Sequence, residues 1–141
     1  AAYNGVKSAI ITNSLIFAIL HLGNDGFGVL PFINIFLMGV IFSLLFYIAD
    51  GIFLPAAVHT FWNFAQSNIY GINVSGITQS NISLLKTQLT GNPLLTGGAF
   101  GVEGGFITFW IEAIIVGVLL VGVKSKSKEE ENKSINKKTG L

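Results

Sequence analysis

The chain has 141 residues, of which 51% are hydrophobic and 11% charged, and its mean hydropathy is +0.68. A water-soluble domain normally carries about a quarter charged residues, so this composition predicts a membrane protein. A formal net charge of +1 gives no reason to expect a nucleic-acid partner, and the lack of cysteine excludes disulfides and thiolate metal ligands.

Four segments are apolar enough to be predicted as membrane-spanning helices, each of which needs roughly 20 mostly apolar residues. They lie at about residues 8–22, 29–49, 52–69 and 105–123. Turn sequences separate the first three, with Gly and Asn at 23–26 and Asp50-Gly51 after the second. The predicted fold is therefore all-α, a polytopic membrane helix bundle, with residues 1–123 forming the membrane domain.

Two polar segments lie outside the predicted spans. Residues 70–104 are rich in Gly, Asn, Ser and Thr, which predicts an aqueous loop. Residues 124–141 alternate Lys, Glu, Ser and Asn, which predicts a disordered, charged tail. Lys7 and the lysines of the tail fall on one predicted side of the membrane, whereas the loop carries Lys86 alone. This bias predicts a multi-pass protein of the cell membrane with both ends of the chain cytoplasmic.

His21 and His59 are the only histidines, and both lie within predicted spans. Polar side chains at membrane depth are costly unless they are used, so they are candidates for function. Phe17 and His21 are four residues apart, as are His59 and Asn63, so each pair shares one face of a helix. If these faces meet, two imidazoles and a carboxamide surround one polar cavity, where an imidazole can bind a metal or transfer a proton. The alternative is that each histidine is a core residue bonded to a neighbouring helix.

The motifs F-x-x-x-H and H-x-x-x-N, in this order, resemble those of the CAAX-processing and bacteriocin-processing (CPBP, or Abi) family of intramembrane endopeptidases. Their flanking sequences at residues 14–22 and 54–63 are also similar to the family's. Residues 36–40 resemble the small-residue stretch of the helix between them. Residues 100–105 resemble the F-G-x-E-G-G sequence before the last helix. The resemblance covers about residues 8–123.

This resemblance implies an enzyme that hydrolyses peptide bonds of membrane-associated substrates with an activated water. It implies that His21 and His59 hold or polarise the water, or bind a metal, and that Asn63 and His59 stabilise the oxyanion. The metal would be a divalent ion such as zinc, and a metal-free mechanism driven by a glutamate is equally compatible. The implied partners are the lipid bilayer and a peptide or protein substrate within it, with a role in bacteriocin maturation or self-immunity left open.

The family's first motif, E-E-x-x-x-R, supplies the glutamate that polarises the water, and it is missing from these 141 residues. The chain is therefore expected to be the C-terminal portion of a longer protease and to be inactive alone. One alternative is a non-catalytic immunity or scaffold protein that retains the fold. Another is a proton-linked transporter built on His21, His59 and Glu112, although the chain shows no internal repeat.

The remaining acidic and aromatic candidates are expected to be structural. Glu112 lies within the last predicted span, where we expect its carboxyl to bond another helix or to be protonated, rather than to act as a substitute base. Glu103 precedes that span and suits the positive end of the helix dipole. Phe17, Trp62 and Trp110 are expected to be packing residues.

Overall fold

The protein is a helical bundle, and a computed structural model describes its residues 2–78 and 82–139. Its helices are α1 (Ala2–Ile19), α2 (Val29–Ala49), α3 (Phe53–Phe64), α4 (Pro93–Thr96) and α5 (Phe106–Thr139). A π-helical segment, Ala65–Tyr70, continues α3, and two 3₁₀ turns, Gly98–Phe100 and Val102–Gly104, precede α5. Within the described ranges the extended pairing is limited to one bridge between Val74 and Ile77. The predicted all-α class is confirmed.

Two helices are long and apolar enough to cross a membrane, where the sequence predicted four spans. These are α2 and the apolar part of α5. Within α1, Gly5–Ile19 is a shorter apolar helix. The predicted third span is divided between α3, which has 12 residues, and the π-helical segment. The structure therefore supports two spans by length and composition.

Helices α1 and α2 are antiparallel and pack closely against each other at Gly39. A Cβ atom at Gly39 would lie 2.8 Å from the Cα of Ser14, which is fully buried. Only glycine permits this approach, as is common where membrane helices pack through small residues. One turn along α2, the Asn13 side chain donates a hydrogen bond to Ser43 Oγ across the same interface (2.9 Å). This contact sets the spacing of the two helices.

The segment 70–104, which was predicted as an aqueous loop, forms part of the core. Phe100 is fully buried against Ala18 of α1 and Ile35 of α2. Val74 is buried as well, whereas residues 84–95 are exposed. One part of the loop therefore closes the end of the bundle where α1 ends and α2 and α5 begin, and the other part faces outward.

Helix α5 continues through residues 124–139, where the sequence predicted a disordered tail. The helix is already formed in the apolar segment, so each added residue extends it without a new nucleation step. An ion pair between Glu129 and Lys133, four residues apart, supports the extension (2.6 Å). Over its described part the tail is helical, and the prediction of disorder differs from the structure there.

Lys126 joins α5 to the C-terminal end of α2. Its ammonium donates to the carbonyl oxygens of Tyr47 (2.8 Å) and Ile48 (3.3 Å) and pairs with Asp50 (2.5 Å). These carbonyls belong to the last turn of α2 and have no partner within the helix, and a cation is favourable at that end.

We expect Lys126→Met to reduce the free energy of unfolding by about 1–2 kcal/mol, because the last carbonyls of α2 lose their donor. Urea unfolding in detergent micelles, followed by tryptophan fluorescence, measures the change. Lys128→Met, an exposed change on the same helix, is the matched control. Equal stability of the two variants would contradict the capping role.

Candidate functional site

His21 lies in the turn just after α1. Its backbone N–H donates to the carbonyl of Ala18 (3.1 Å), and its ring Nδ1–H donates to the carbonyl of Phe17 (2.7 Å). The imidazole folds back along the helix, and its centroid lies 4.8 Å from that of the Phe17 ring. Because a carbonyl can only accept, the proton of a neutral His21 ring is on Nδ1 and its Nε2 can accept a hydrogen bond.

His59 and Asn63 lie one turn apart on α3, as their spacing predicted. The Asn63 amide Nδ2 donates to His59 Nε2 across 3.3 Å. This bond uses one of the two amide hydrogens of Asn63 and leaves the other available. Both side chains are half-buried, as is His21, so the site is accessible at one side.

Two phenylalanine rings hold the histidines in one region. The His59 ring centroid lies 5.6 Å from that of Phe17 and 4.9 Å from that of Phe42. Since Phe17 also contacts His21, one aromatic ring touches both imidazoles. The structure thus brings together His21, His59 and Asn63. Their catalytic roles stay predictions.

Glu103 is a buried carboxylate, 4% exposed, that joins α3 to the loop. Its Oε1 accepts a hydrogen bond from the indole N–H of Trp62 (2.7 Å). Its Oε2 accepts bonds from the backbone N–H (2.7 Å) and hydroxyl (2.5 Å) of Ser75. Three donors compensate for its burial. Sequence reasoning took Trp62 as a packing residue and did not predict this bond.

Glu112 is 2% exposed within α5, and neither of its carboxyl oxygens has a hydrogen-bond partner among the described residues. Of the two states expected from the sequence, a carboxyl bonded to another helix or a protonated one, the bond to another helix is not formed among the described residues. The amide of Gln66, in the π-helical segment, is buried and unpaired in the same way. Neither polar group takes part in the contacts among His21, His59 and Asn63 described above.

The donor set does not by itself fit a catalytic zinc. Such a site usually takes three protein ligands, and the described residues contain no group of three His, Cys, Asp or Glu side chains placed to hold a metal. His21 and His59 could supply two ligands, while Asn63 is bonded to His59.

The sequence model of a family described as type II CAAX prenyl endopeptidase Rce1-like matches residues 1–65. Residues 1–65 are thus similar to that family. The resemblance stated from the two motifs is thereby confirmed over this segment. It contains α1, α2 and α3, and with them His21, His59 and Asn63.

The Rce1-like segment covers a little under half of the chain, and Glu103 and α5 lie outside it. Comparison with curated proteins gives no significant match, and neither does comparison with solved structures. The match of residues 1–65 to a family model of CAAX prenyl endopeptidases, together with two helices long and apolar enough to span a bilayer, supports a membrane location for the protein.

Proposed function

We propose that the chain supplies the histidine and asparagine side of an intramembrane endopeptidase site of the CAAX-processing type. The observation that supports this most directly is the contact of both imidazoles with Phe17, in a segment that matches the Rce1-like family. The proposal includes four membrane-crossing segments and cytoplasmic ends, for which the distribution of lysines is the support.

In this proposal His21 and His59 position the water that attacks the scissile carbonyl carbon. His21 Nε2 is free to accept a hydrogen bond from that water, because its Nδ1–H is bonded to Phe17. The second amide hydrogen of Asn63 is free to donate to the oxyanion that forms as the water adds. Phe17 and Phe42 limit the access of bulk water to His59 on the side that they cover.

Collapse of the tetrahedral intermediate breaks the C–N bond, and the proton taken from the water goes to the leaving amine. In the CPBP family a glutamate of the E-E-x-x-x-R motif carries this proton, and these 141 residues do not contain that motif. The chain alone is therefore proposed to be inactive. Absence of the motif from the whole protein would instead favour the second candidate, a non-catalytic immunity or scaffold protein that keeps the helical frame.

Cleavage of a farnesylated, internally quenched peptide ending in a C-a-a-X sequence distinguishes the two candidates. The product of the complete gene, reconstituted in phospholipid nanodiscs, is expected to release the last three residues, whereas residues 1–141 alone should not. In H₂¹⁸O, mass spectrometry should find one ¹⁸O in the new carboxylate, because water is the nucleophile. The same peptide without the farnesyl group is the control. Failure to cleave either peptide would favour the scaffold protein.

A further inference from the structure

A chain of hydrogen bonds connects the turn that carries His21 to the helix that carries His59 and Asn63. Asn24, three residues after His21, donates from its side chain to the carbonyl of Ser75 (2.7 Å). Ser75 donates from its N–H and hydroxyl to Glu103, and Glu103 accepts the indole N–H of Trp62. We call this set, Asn24, Ser75, Glu103 and Trp62, the Glu103 bridge.

The bridge acts where α3 has little other support. Within α3, all of which is described, only Pro55 in the first turn is buried. The large side chains of Phe53, Phe61 and Phe64 are exposed, so apolar packing does little to fix the rotation of the helix about its axis. The hydrogen bond from Trp62 to Glu103 is directional. Trp62 directly precedes Asn63 and lies three residues, about one helical turn, after His59. Together with the contacts of His59 with Phe17 and Phe42, this bond therefore fixes the direction in which the two side chains point.

The other end of the bridge is rigid. Ser75 has a backbone φ of 47°, which is uncommon for a residue other than glycine, and both of its donors are bound by Glu103. The next residue, Gly76, packs so closely that a Cβ there would lie 2.2 Å from the carbonyl oxygen of Asp25. Glu103 is fixed from its backbone side too, since its carbonyl accepts a bond from Asn34 of α2 (2.7 Å).

We propose that Glu103 is a positioning residue for the peptidase site, which holds His59 and Asn63 in place relative to His21 through Trp62 and Ser75. This inference rests on the proposed function and adds a residue from outside the segment that matches the Rce1-like family. Glu103 does not touch the substrate in this scheme. Its carboxylate acts through the helix that it anchors.

Trp62→Phe is the most direct test, because it removes the indole N–H and keeps an aromatic ring. In the complete protein we expect kcat for the farnesylated peptide to fall by a factor on the order of 10 to 100, with KM within about twofold, because reacting groups that are displaced by 1 Å lose rate more than affinity. Glu103→Ala should lower kcat by a similar factor, and Glu103→Gln, which keeps an acceptor oxygen, should recover part of the rate.

Trp110→Phe, on the exposed face of α5, is the matched control and should leave kcat unchanged.

A second measurement does not depend on cleavage. Because the 141 residues contain two histidines, ¹⁵N-imidazole NMR of these residues in nanodiscs gives two sets of ring signals, which His21→Gln assigns. Trp62→Phe and Glu103→Gln are expected to shift or broaden the His59 signals, and Trp110→Phe should leave them in place. Stable His59 signals in both bridge variants would overturn the positioning role.

The two measurements separate failure of the inference from failure of the function. If the wild-type protein does not cleave the peptide, the proposed function fails, and the NMR result still decides whether the bridge orients His59. If the protein cleaves and Trp62→Phe lowers only the yield of folded protein, with kcat per folded molecule unchanged, the bridge is merely structural and the inference is wrong.

Discussion

Replacement of His59 or Asn63 by alanine in the complete protein is expected to lower kcat for the farnesylated peptide by at least about 10²-fold. Loss of one oxyanion donor typically costs about 10²–10³ in rate, and Asn63 has an amide hydrogen left to donate once it is bonded to His59. Steady-state cleavage in nanodiscs measures the effect. The double variant should be little worse than either single one, because groups that act as a unit are not additive.

Neighbouring changes that spare the site serve as controls. Thr60→Ala alters an exposed residue beside His59, and Asn68→Ala removes an exposed carboxamide from the π-helical segment that follows Asn63. Both should keep kcat within about twofold of the wild type. Turnover at the wild-type rate in His59→Ala or Asn63→Ala would contradict the proposed roles, and equal losses in the control variants would indicate general damage to α3.

The pairing of residues within each histidine motif could be predicted because it depends on helical spacing, whereas the meeting of the two motifs depends on how α1 and α3 pack. Residues four apart share a face, and this holds for His59 and Asn63 on α3. The same spacing of four residues places the His21 ring in contact with the Phe17 ring, although α1 ends at Ile19. The sequence could not show how both imidazoles come to contact Phe17, because this depends in part on a side-chain torsion. His21 turns back over the last turn of α1 and bonds the carbonyl of Phe17.

The Glu103 bridge could not be predicted because its members are far apart in the chain. Trp62 and Glu103 are 41 residues apart, and Asn24 and Ser75 are 51 apart. No periodicity links such positions. The sequence F-G-x-E-G-G at 100–105 did mark this segment as unusual, since its glycines fit tight backbone contacts. A Cβ at Gly101, for example, would lie 2.2 Å from the carbonyl oxygen of Asn73.

The number of long apolar helices and the helical extension of α5 differ from the sequence-based expectation for a related reason. Hydropathy along the chain does not show where a helix changes its hydrogen-bonding pattern, as happens at Ala65, or how far a helix extends beyond its apolar part. The charged residues after Val123 continue α5 because the preceding turns already fix the backbone. Composition gave the class of protein, and local hydrogen bonding decided the ends of its elements.

Gly39→Leu is expected to separate α1 from α2 and to have the largest effect on stability. Even a single Cβ at this position would lie 2.8 Å from the Cα of Ser14, so the strain falls on backbone that cannot rotate away. Overpacking of this kind typically costs about 1–3 kcal/mol and occasionally more. The separation would also weaken the contact between Phe17 and Phe42, whose centroids are 5.7 Å apart, and this pair forms the wall beside His59.

Disulfide trapping measures the separation directly, since the 141 residues contain no cysteine of their own. Asn13→Cys and Ser43→Cys replace two side chains that are in contact across the interface, and oxidation should join them readily when position 39 is glycine. Adding Gly39→Leu should reduce the cross-linked fraction and lower the thermal midpoint. Gly117→Leu, in α5, where a Cβ meets nothing within 4 Å, should change neither. Efficient cross-linking in the presence of Leu at position 39 would show that the helices can pack without the glycine, and the spacing of Phe17 and Phe42 would then need another cause.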